Sequence, residues 1–301
     1  MAGPVGGEFP RGHAALPAGD IGRLLLRCAD RPGLVAAITS FLAEAGANII
    51  SLDQHSTEET GGVFMQRTIF HLPGLTAARD DLEKAFAEQI AGPFEMDFRL
   101  TEADKPKRVA IMASKEDHCL LDLLWRARRG ELEMSIAMVI GNHPDLADQV
   151  RPFGVPFIHI PATKDIRDEA EQRQLDLLRG NVDLVVLARY MQILTPRFLD
   201  QVGCPVINIH HSFLPAFIGA SPYRRAKERG VKLVGATAHY VTQDLDEGPI
   251  IEQDVVRVDH RHSIEDLVRL GADVERAVLS RAVQWHCEDR VIRFDNQTVV
   301  F

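Results

Sequence analysis

The chain has 301 residues, more than one small domain needs, and this length predicts two domains with separate cores. Its 46% hydrophobic and 26% charged residues are typical of an ordinary globular protein. The net charge of -9, from 34 basic and 43 acidic residues, disfavours a nucleic-acid partner, because an acidic surface repels a phosphate backbone. No apolar run is long enough to span a bilayer, so we expect no membrane partner.

The first segment, residues 1–20, is rich in Gly, Pro and Ala and lacks the apolar centre of a signal peptide, so it is predicted to be a disordered leader. The cysteines stand singly, without CxxC spacing: Cys28, Cys119, Cys204 and Cys287. This pattern predicts neither a zinc site nor a disulfide framework. Reduced thiols fit a cytoplasmic protein best.

Residues 21–100 alternate between strand and helix patterns. The predicted elements are a strand from Arg23, a helix with Leu34, Ile38, Phe41 and Leu42 on one face that ends at Gly46, strands at Asn48–Gln54 and Val63–Leu72, a helix at Ala77–Ile90, and a strand at Phe94–Leu100. The order βαββαβ favours a ferredoxin-like α+β domain, an antiparallel sheet with two helices on one face.

Within this segment, the residues CADRPGLVAAITSFLAEAGANI resemble the ACT domain, a module that commonly binds amino acids and pairs with itself. The resemblance implies an amino-acid effector near Asp30 and Gly33, and a homo-oligomer, either a dimer or a tetramer. The turn also has a plain interpretation, in which proline opens a helix and glycine permits close backbone packing. Both interpretations of the turn stay open.

A polar stretch at residues 101–107 contains a proline and is predicted to be the linker to a second domain, residues 108–301. Here short apolar runs alternate with helical stretches, which predicts a mostly parallel, Rossmann-like α/β sheet. The runs are Arg108–Ala113, Met134–Ile140, Val182–Leu187 and Val206–Ile209. Ligands of such sheets bind at the carboxyl ends of the strands.

The segments VINIHHSFLPAFIGASPY and VGATAHYVTQDLDEGPI carry the densest polar chemistry. On a strand, Asn208 and His210 are two residues apart and project to one side, whereas His211 faces the other. Asp246 lies in the turn after the strand of the second segment. An amide, an imidazole and a carboxylate can support attack on a carbonyl without a covalent nucleophile. Neither Ser212 nor Cys204 lies in a nucleophile-elbow sequence.

Each of these residues also has a structural interpretation. A single strand histidine such as His210 is more often a satisfied core residue, and Asp246 before Gly248 could simply form a turn. We interpret His211 and His239 as structural or supporting residues. A metal site is not predicted, because His210 and His211 point to opposite faces, and the pair His260 and His262 lacks a third ligand.

The segments INIHHSFLP and HYVTQDLDEGPII, with KEDHCLLDLLWR, IGNH and LARYMQILTP, resemble the folate-dependent formyltransferase superfamily and in particular its deformylase family. The resemblance also covers the ACT-like N-terminal segment. It implies that Asn208, His210 and Asp246 form the catalytic triad. It also implies folate contacts from two loops, which contain Met191, Gln192, Ile193 and Leu194, and Gln243, Asp244 and Leu245.

Formyltransferases of this superfamily that act on a phosphorylated amine hold its phosphate with a glycine-rich loop. The equivalent turn here, Ala113–His118, has no glycine and adds two carboxylates. The resemblance therefore implies hydrolysis of 10-formyltetrahydrofolate by water, which supplies tetrahydrofolate and formate to one-carbon and purine metabolism without a cofactor.

Three alternatives stay open. The first is formyl transfer to an amine. The second is an acceptor transfer RNA held by the basic strip Arg224, Arg225, Lys227 and Arg229. The third is a regulatory amino-acid-binding protein with an inactive second domain.

Overall fold

The computed structural model describes residues 18–215 and 222–301. The chain divides between Lys105 and Pro106 into two compact units. Most of the predicted leader, residues 1–17, lies outside the described residues, and Ala18–Asp20 form a 3-10 turn. Among the described residues, no helix combines the length and apolar character needed to cross a membrane.

The N-terminal unit is a four-stranded antiparallel sheet of order β2-β3-β1-β4 with helices. Its elements are β1 Ile21–Ala29, α1 Leu34–Glu44, β2 Asn48–Ser56, β3 Val63–His71, α2 Leu75–Phe86, α3 Gly92–Phe94 and β4 Asp97–Glu102. The predicted βαββαβ order is confirmed. The predicted second helix was wrong in its bounds, because α2 ends at Phe86 and a π-helical turn, Ala87–Ala91, follows it.

The first helix begins as the sequence predicts, and its buried residues are Leu34, Ile38, Phe41 and Leu42. Gly33 precedes it with φ +94°, a left-handed conformation that favours glycine. The N–H of Asp30 donates to the carbonyl oxygen of Gly62 at 2.8 Å. Both predicted effector residues therefore have backbone roles in the turn itself.

The predicted linker, residues 101–107, is longer than the observed connection. The ladder between β1 and β4 continues through the pair Gly22 and Glu102, and the N–H of Ala103 donates to the carbonyl of Ile21 at 2.9 Å. The next strand already begins at Lys107. Backbone pairing thus extends both strands into the polar stretch.

The C-terminal unit is built on a seven-stranded sheet of order β11-β10-β9-β8-β5-β6-β7. Its elements are β5 Lys107–Ala113, α4 His118–Arg128, β6 Met134–Gly141, α5 Ala147–Val150, β7 Phe157–His159, α6 Arg167–Leu178, β8 Leu184–Ala188, α7 Pro196–Gln201, β9 Val206–His210, α8 Pro222–Arg229, β10 Leu233–Tyr240, β11 Ile250–Arg257, α9 Ile264–Cys287, β12 Val291–Phe294 and β13 Gln297–Val300. Strands β5 to β9 pair in parallel, and β10 and β11 are antiparallel. The mostly parallel sheet is confirmed.

Each face of this sheet has its own core. One core joins β9 residues Ile207 and Ile209 to α4 and α9, and the other joins Val206 to α6 and α7. Alternation along β9 therefore sends Asn208 and His210 to the α6/α7 face, as the spacing predicts. The parallel strands β8 and β9 end at the same edge of the sheet, where the site lies.

Candidate active site

A cavity of about 630 Å³ opens at the carboxyl edge of the sheet, within the size range of small-molecule sites. Its wall comes from both sides of the sheet. Its lining residues include Glu116, His118, Arg189–Leu194, Asn208–His211, Tyr223, His239, Gln243, Leu245, Asp246 and Glu275. The three predicted catalytic residues, Asn208, His210 and Asp246, all lie on this cavity.

His210 and Asp246 form a pair at the end of β9. The Nδ1 atom of His210 is 3.3 Å from Oδ2 of Asp246, and His210 is only 6% exposed. Its other nitrogen, Nε2, is buried and has no hydrogen-bond partner among the residues that the structure describes. Because buried polar atoms are nearly always paired, this nitrogen is suited to a ligand in the cavity.

Asp246 has an unusual backbone. Its φ of +58° is left-handed, a conformation that aspartate tolerates better than most residues. The hydrogen bond from His210 holds the pKa of Asp246 below its usual value, although partial burial acts in the opposite direction. The carboxylate is therefore ionised at neutral pH and can orient the imidazole.

His239 fixes the amide of Asn208. Its Nδ1 atom lies 3.0 Å from the carbonyl oxygen of Tyr240, which only accepts, so Nδ1 carries the proton. The unprotonated Nε2 then accepts from Nδ2 of Asn208 at 3.2 Å. Burial lowers the pKa of His239, which keeps the ring neutral. The sequence alone suggested only a structural or supporting role, and the structure gives that support a specific partner.

The loop after β8 forms an apolar part of the wall. Met191 and Ile193 are 58% and 59% exposed, whereas Leu194 is buried. The N–H of Met191 donates to Oγ of Ser114 at 2.9 Å, and the N–H of Thr195 donates to Oε1 of Glu171 at 2.9 Å. The loop is thus held at both ends while its apolar side chains face the cavity.

The predicted contact turn after β10 reaches the cavity only in part. Gln243 and Leu245 line it, and Leu245 is 57% exposed. Asp244 lies outside the described cavity wall, and its carbonyl oxygen accepts from Oγ1 of Thr242 at 3.2 Å. Asp244 is exposed and lies between Gln243 and Leu245, which do line the cavity.

A second polar group, the Glu275 cluster, lies on the α4/α9 side of the cavity and comprises His118, Arg189, Tyr223 and Glu275. We did not predict it, because Glu275 is far from the other residues in sequence. A signal was present, however: Glu275 is a charged residue within the buried stripe of α9, which includes Val274, Val278 and Leu279.

One group among the described residues has the spacing of metal ligands: His118, Cys119 and Glu275, with ligand atoms within 4.8 Å of one another. The chemistry of the group is poorly suited to a cation. Burial raises the pKa of the Cys119 thiol well above its usual value, and Arg189 already places a positive charge 3.5 Å from Glu275. His260 and His262, which the sequence did not predict as metal ligands, lie at a turn in which His262 contacts Asp259 at 3.0 Å.

Comparisons with known proteins agree with this architecture. Residues 107–283 match the family model described as formyl transferase, and residues 22–87 match the ACT domain. A crystal structure of glycinamide ribonucleotide transformylase 1 from Symbiobacterium toebii is 30% identical and has a TM-score of 0.61, covering 65% of this chain and 94% of that one. Fold and site define a formyl transferase-type α/β protein that carries an ACT domain.

More similar relatives narrow this class. The formyltetrahydrofolate deformylase of Mycobacterium tuberculosis is 77% identical over 94% of this chain and 91% of its own length. The crystal structure of a formyltetrahydrofolate deformylase from Pseudomonas syringae is 48% identical, with a TM-score of 0.89 over 93% of this chain and 94% of that one. The chain belongs to the formyltetrahydrofolate deformylase family.

Proposed function

We propose that this protein is a hydrolase that converts 10-formyltetrahydrofolate and water to tetrahydrofolate and formate. The observation that carries the proposal is the buried Nε2 of His210, which has no hydrogen-bond partner within the described part of the chain and lies beside Asn208 and Asp246 on a cavity of about 630 Å³. The relatives named as deformylases cover almost the whole chain, including both domains.

In the proposed mechanism, Asn208 and His210 hydrogen-bond to the formyl oxygen and stabilise the negative charge that develops on it. The oxygen of water bonds to the formyl carbon, and the bond from that carbon to N10 of the folate breaks. Water loses a proton and N10 gains one. Asp246 keeps His210 oriented and helps to move the proton from water. Apart from the folate substrate and water, the proposed steps require no cofactor.

We propose that the folate binds along the two loops after β8 and β10. Met191, Ile193 and Leu245 present exposed apolar surface, which suits the flat rings of a folate. Gln192, Leu194 and Gln243 complete this wall. Asp244 would support the turn through its backbone instead of touching the ligand.

For the remaining partners, we propose an amino-acid effector near Asp30 and Gly33 and a homo-oligomer, either a dimer or a tetramer. The ACT match supports both, and the edge strand β2 exposes Ile50 at 49%. The reduced cysteines favour a cytoplasmic location. Lys227 of the basic strip donates to the carbonyl of His260 at 2.9 Å, which makes it less available to an RNA acceptor.

The decisive experiment measures formate release from 10-formyltetrahydrofolate without any amine. We expect stoichiometric formate and tetrahydrofolate from the wild-type protein, and a large loss of turnover in Asp246→Asn. A strict requirement for an added amine would instead support formyl transfer. No turnover with or without amines would support a regulatory protein with an inactive second domain.

A further inference from the structure

The cavity has two walls of different chemistry. The wall on the α6/α7 side is formed by the apolar loop at residues 191–194, which is where the proposed folate lies. The wall on the α4/α9 side is the Glu275 cluster, and His211 lies between the walls, with its ring 5.2 Å from that of His210. If the folate occupies the first wall, a nucleophile must approach the formyl carbon from the second.

Glu275 hydrogen-bonds to Tyr223 and His118 and lies within ion-pair distance of Arg189. Its Oε1 accepts from the hydroxyl of Tyr223 at 2.7 Å, and its Oε2 lies 2.8 Å from Nε2 of His118. The Nε atom of Arg189 is 3.5 Å from the same Oε2. His118 and Tyr223, which could otherwise bind an incoming acceptor, therefore bond to one carboxylate, which is 2% exposed and offsets the charge of Arg189.

The protonation states are consistent with this arrangement. Burial acts to raise the pKa of Glu275, but the hydrogen bond from His118 and the charge of Arg189 outweigh it, so the pKa is lowered. Burial and the nearby Glu275 charge raise the pKa of Tyr223, so its hydroxyl remains a donor. The carboxylate stays ionised and continues to hold its partners.

Gly271 makes room for this contact. It lies one turn before Glu275 in α9, and a Cβ atom built on it would be 1.9 Å from the Tyr223 hydroxyl. Glycine inside a helix is less favourable than alanine. A small residue at this position therefore has a specific packing reason, which is to seat Tyr223 on Glu275.

We propose that Glu275 is a specificity-determining residue that makes water, instead of an amine, the acceptor of the formyl group. It does so by hydrogen-bonding to His118 and Tyr223 and by offsetting the charge of Arg189 at 3.5 Å, which disfavours binding of the anionic group of a phosphorylated or carboxylated amine. The inference rests on the proposed hydrolysis. Glu275 acts through these neighbours and is a positioning residue.

Loss of this restraint would permit a defined side reaction. The amine nitrogen would bond to the formyl carbon, the bond from that carbon to N10 would break, the amine would lose a proton, and N10 would gain one. The products are tetrahydrofolate and an N-formyl amine, with no oxidation or reduction.

The test compares wild type, Glu275→Gln and Tyr223→Phe with 10-formyltetrahydrofolate labelled in the formyl carbon. O-phosphoethanolamine is the anionic acceptor and ethanolamine is the comparison. We expect wild type to place its label in formate, and Glu275→Gln to raise the share in N-formyl-O-phosphoethanolamine by at least about tenfold, with a smaller rise for ethanolamine. Tyr223→Phe should show no rise, because Glu275 still contacts His118 and Arg189 in that variant.

The matched control is Asp289→Asn. Asp289 is also a buried carboxylate, with Oδ1 2.7 Å from Nζ of Lys107, and it lies outside the cavity wall. Its variant should lose stability without changing the product ratio. A product ratio unchanged from wild type in Glu275→Gln, or a rise in Tyr223→Phe as large as in Glu275→Gln, would overturn the inference. Absence of formate release by wild type would instead overturn the proposed function.

Discussion

The cavity contains two pairs of a histidine and a carboxylate that differ in how completely they are bonded. His210 and Asp246 are 3.3 Å apart, and Nε2 of His210 has no partner among the described residues. His118 and Glu275 are 2.8 Å apart, and Glu275 also accepts from Tyr223 and lies 3.5 Å from Nε of Arg189. In the first pair, one imidazole nitrogen remains available to a ligand. In the second pair, the carboxylate holds the neighbouring side chains in place.

The variant with the largest expected effect on this comparison is His210→Ala. We expect turnover to fall by about 10³-fold or more, because the variant loses both the hydrogen bond to the formyl oxygen and the proton-carrying imidazole. The melting temperature should fall modestly, because the variant also loses the contact between Nδ1 of His210 and Oδ2 of Asp246 at a buried position. Formate release and thermal unfolding measure the two effects.

A third pair provides the control for this variant. His262 and Asp259 are 3.0 Å apart but lie outside the cavity wall. His262→Ala should keep wild-type turnover. Equal losses in His210→Ala and His262→Ala would mean that the first loss came from folding and not from catalysis.

The next largest effect is expected for Asn208→Ala. Removal of one oxyanion donor reduces turnover by about 10² to 10³-fold, with little change in KM if the bond forms mainly in the transition state. Asn181→Ala serves as the control, because its amide donates to the carbonyl of Leu177 at 3.0 Å outside the cavity. A variant at Asn208 that changes only KM would contradict the oxyanion role.

These two residues were accessible to sequence reasoning, because a strand alternates its side chains with a fixed period of two. Strand β9 was predicted almost to its ends because it contains a short apolar run. These apolar residues are buried on both faces of the sheet. The triad was then assigned by resemblance, since no local pattern shows that Asp246 meets His210. Their contact depends on the turn that follows β10.

The Glu275 cluster was beyond such reasoning. Its members come from α4, the end of β8, α8 and α9, and only the packing of α9 against α4 and the sheet brings them together. The predicted bounds of α2 were also wrong, because the sequence pattern does not distinguish two kinds of helical turn. The periodic pattern to Ile90 does not distinguish an α-helix from the π-helical turn that the chain adopts there.

His211 lies between the two pairs and offers a smaller, pH-dependent test. Burial is the main cause that lowers the pKa of His211 to about 4 from 6.5. The unfolded chain therefore binds a proton that the folded chain does not, and stability is lost as pH falls from 6.5 to 4. We expect His211→Gln to remove roughly 2 kcal/mol of that loss.

Urea unfolding of wild type and His211→Gln at neutral and acidic pH measures this effect. His239, whose pKa is also lowered, contributes to the slope in both proteins and cancels in the difference. If the free energy of unfolding changed equally with pH in the two proteins, His211 would take up its proton in the folded state as readily as in the unfolded state.

The smallest expected effect concerns the apolar wall. Ile193→Ala removes exposed apolar surface from the proposed folate site and should raise KM by about fivefold, or about 1 kcal/mol, with kcat nearly unchanged. Trp125→Ala is the control, because Trp125 is 52% exposed and lies outside the cavity wall. A change in kcat alone would argue that this loop serves catalysis instead of binding.

The left-handed backbone of Asp246 limits how this family can vary. Asparagine and glycine also accept a φ of +58°, but neither carries a negative charge, and branched residues are excluded by their own Cβ atoms. Glutamate would keep the charge, but its additional methylene group would displace the carboxylate from its position 3.3 Å from Nδ1 of His210. Directed evolution of this enzyme is therefore expected to retain aspartate at 246 and to find its gains in the surrounding loops.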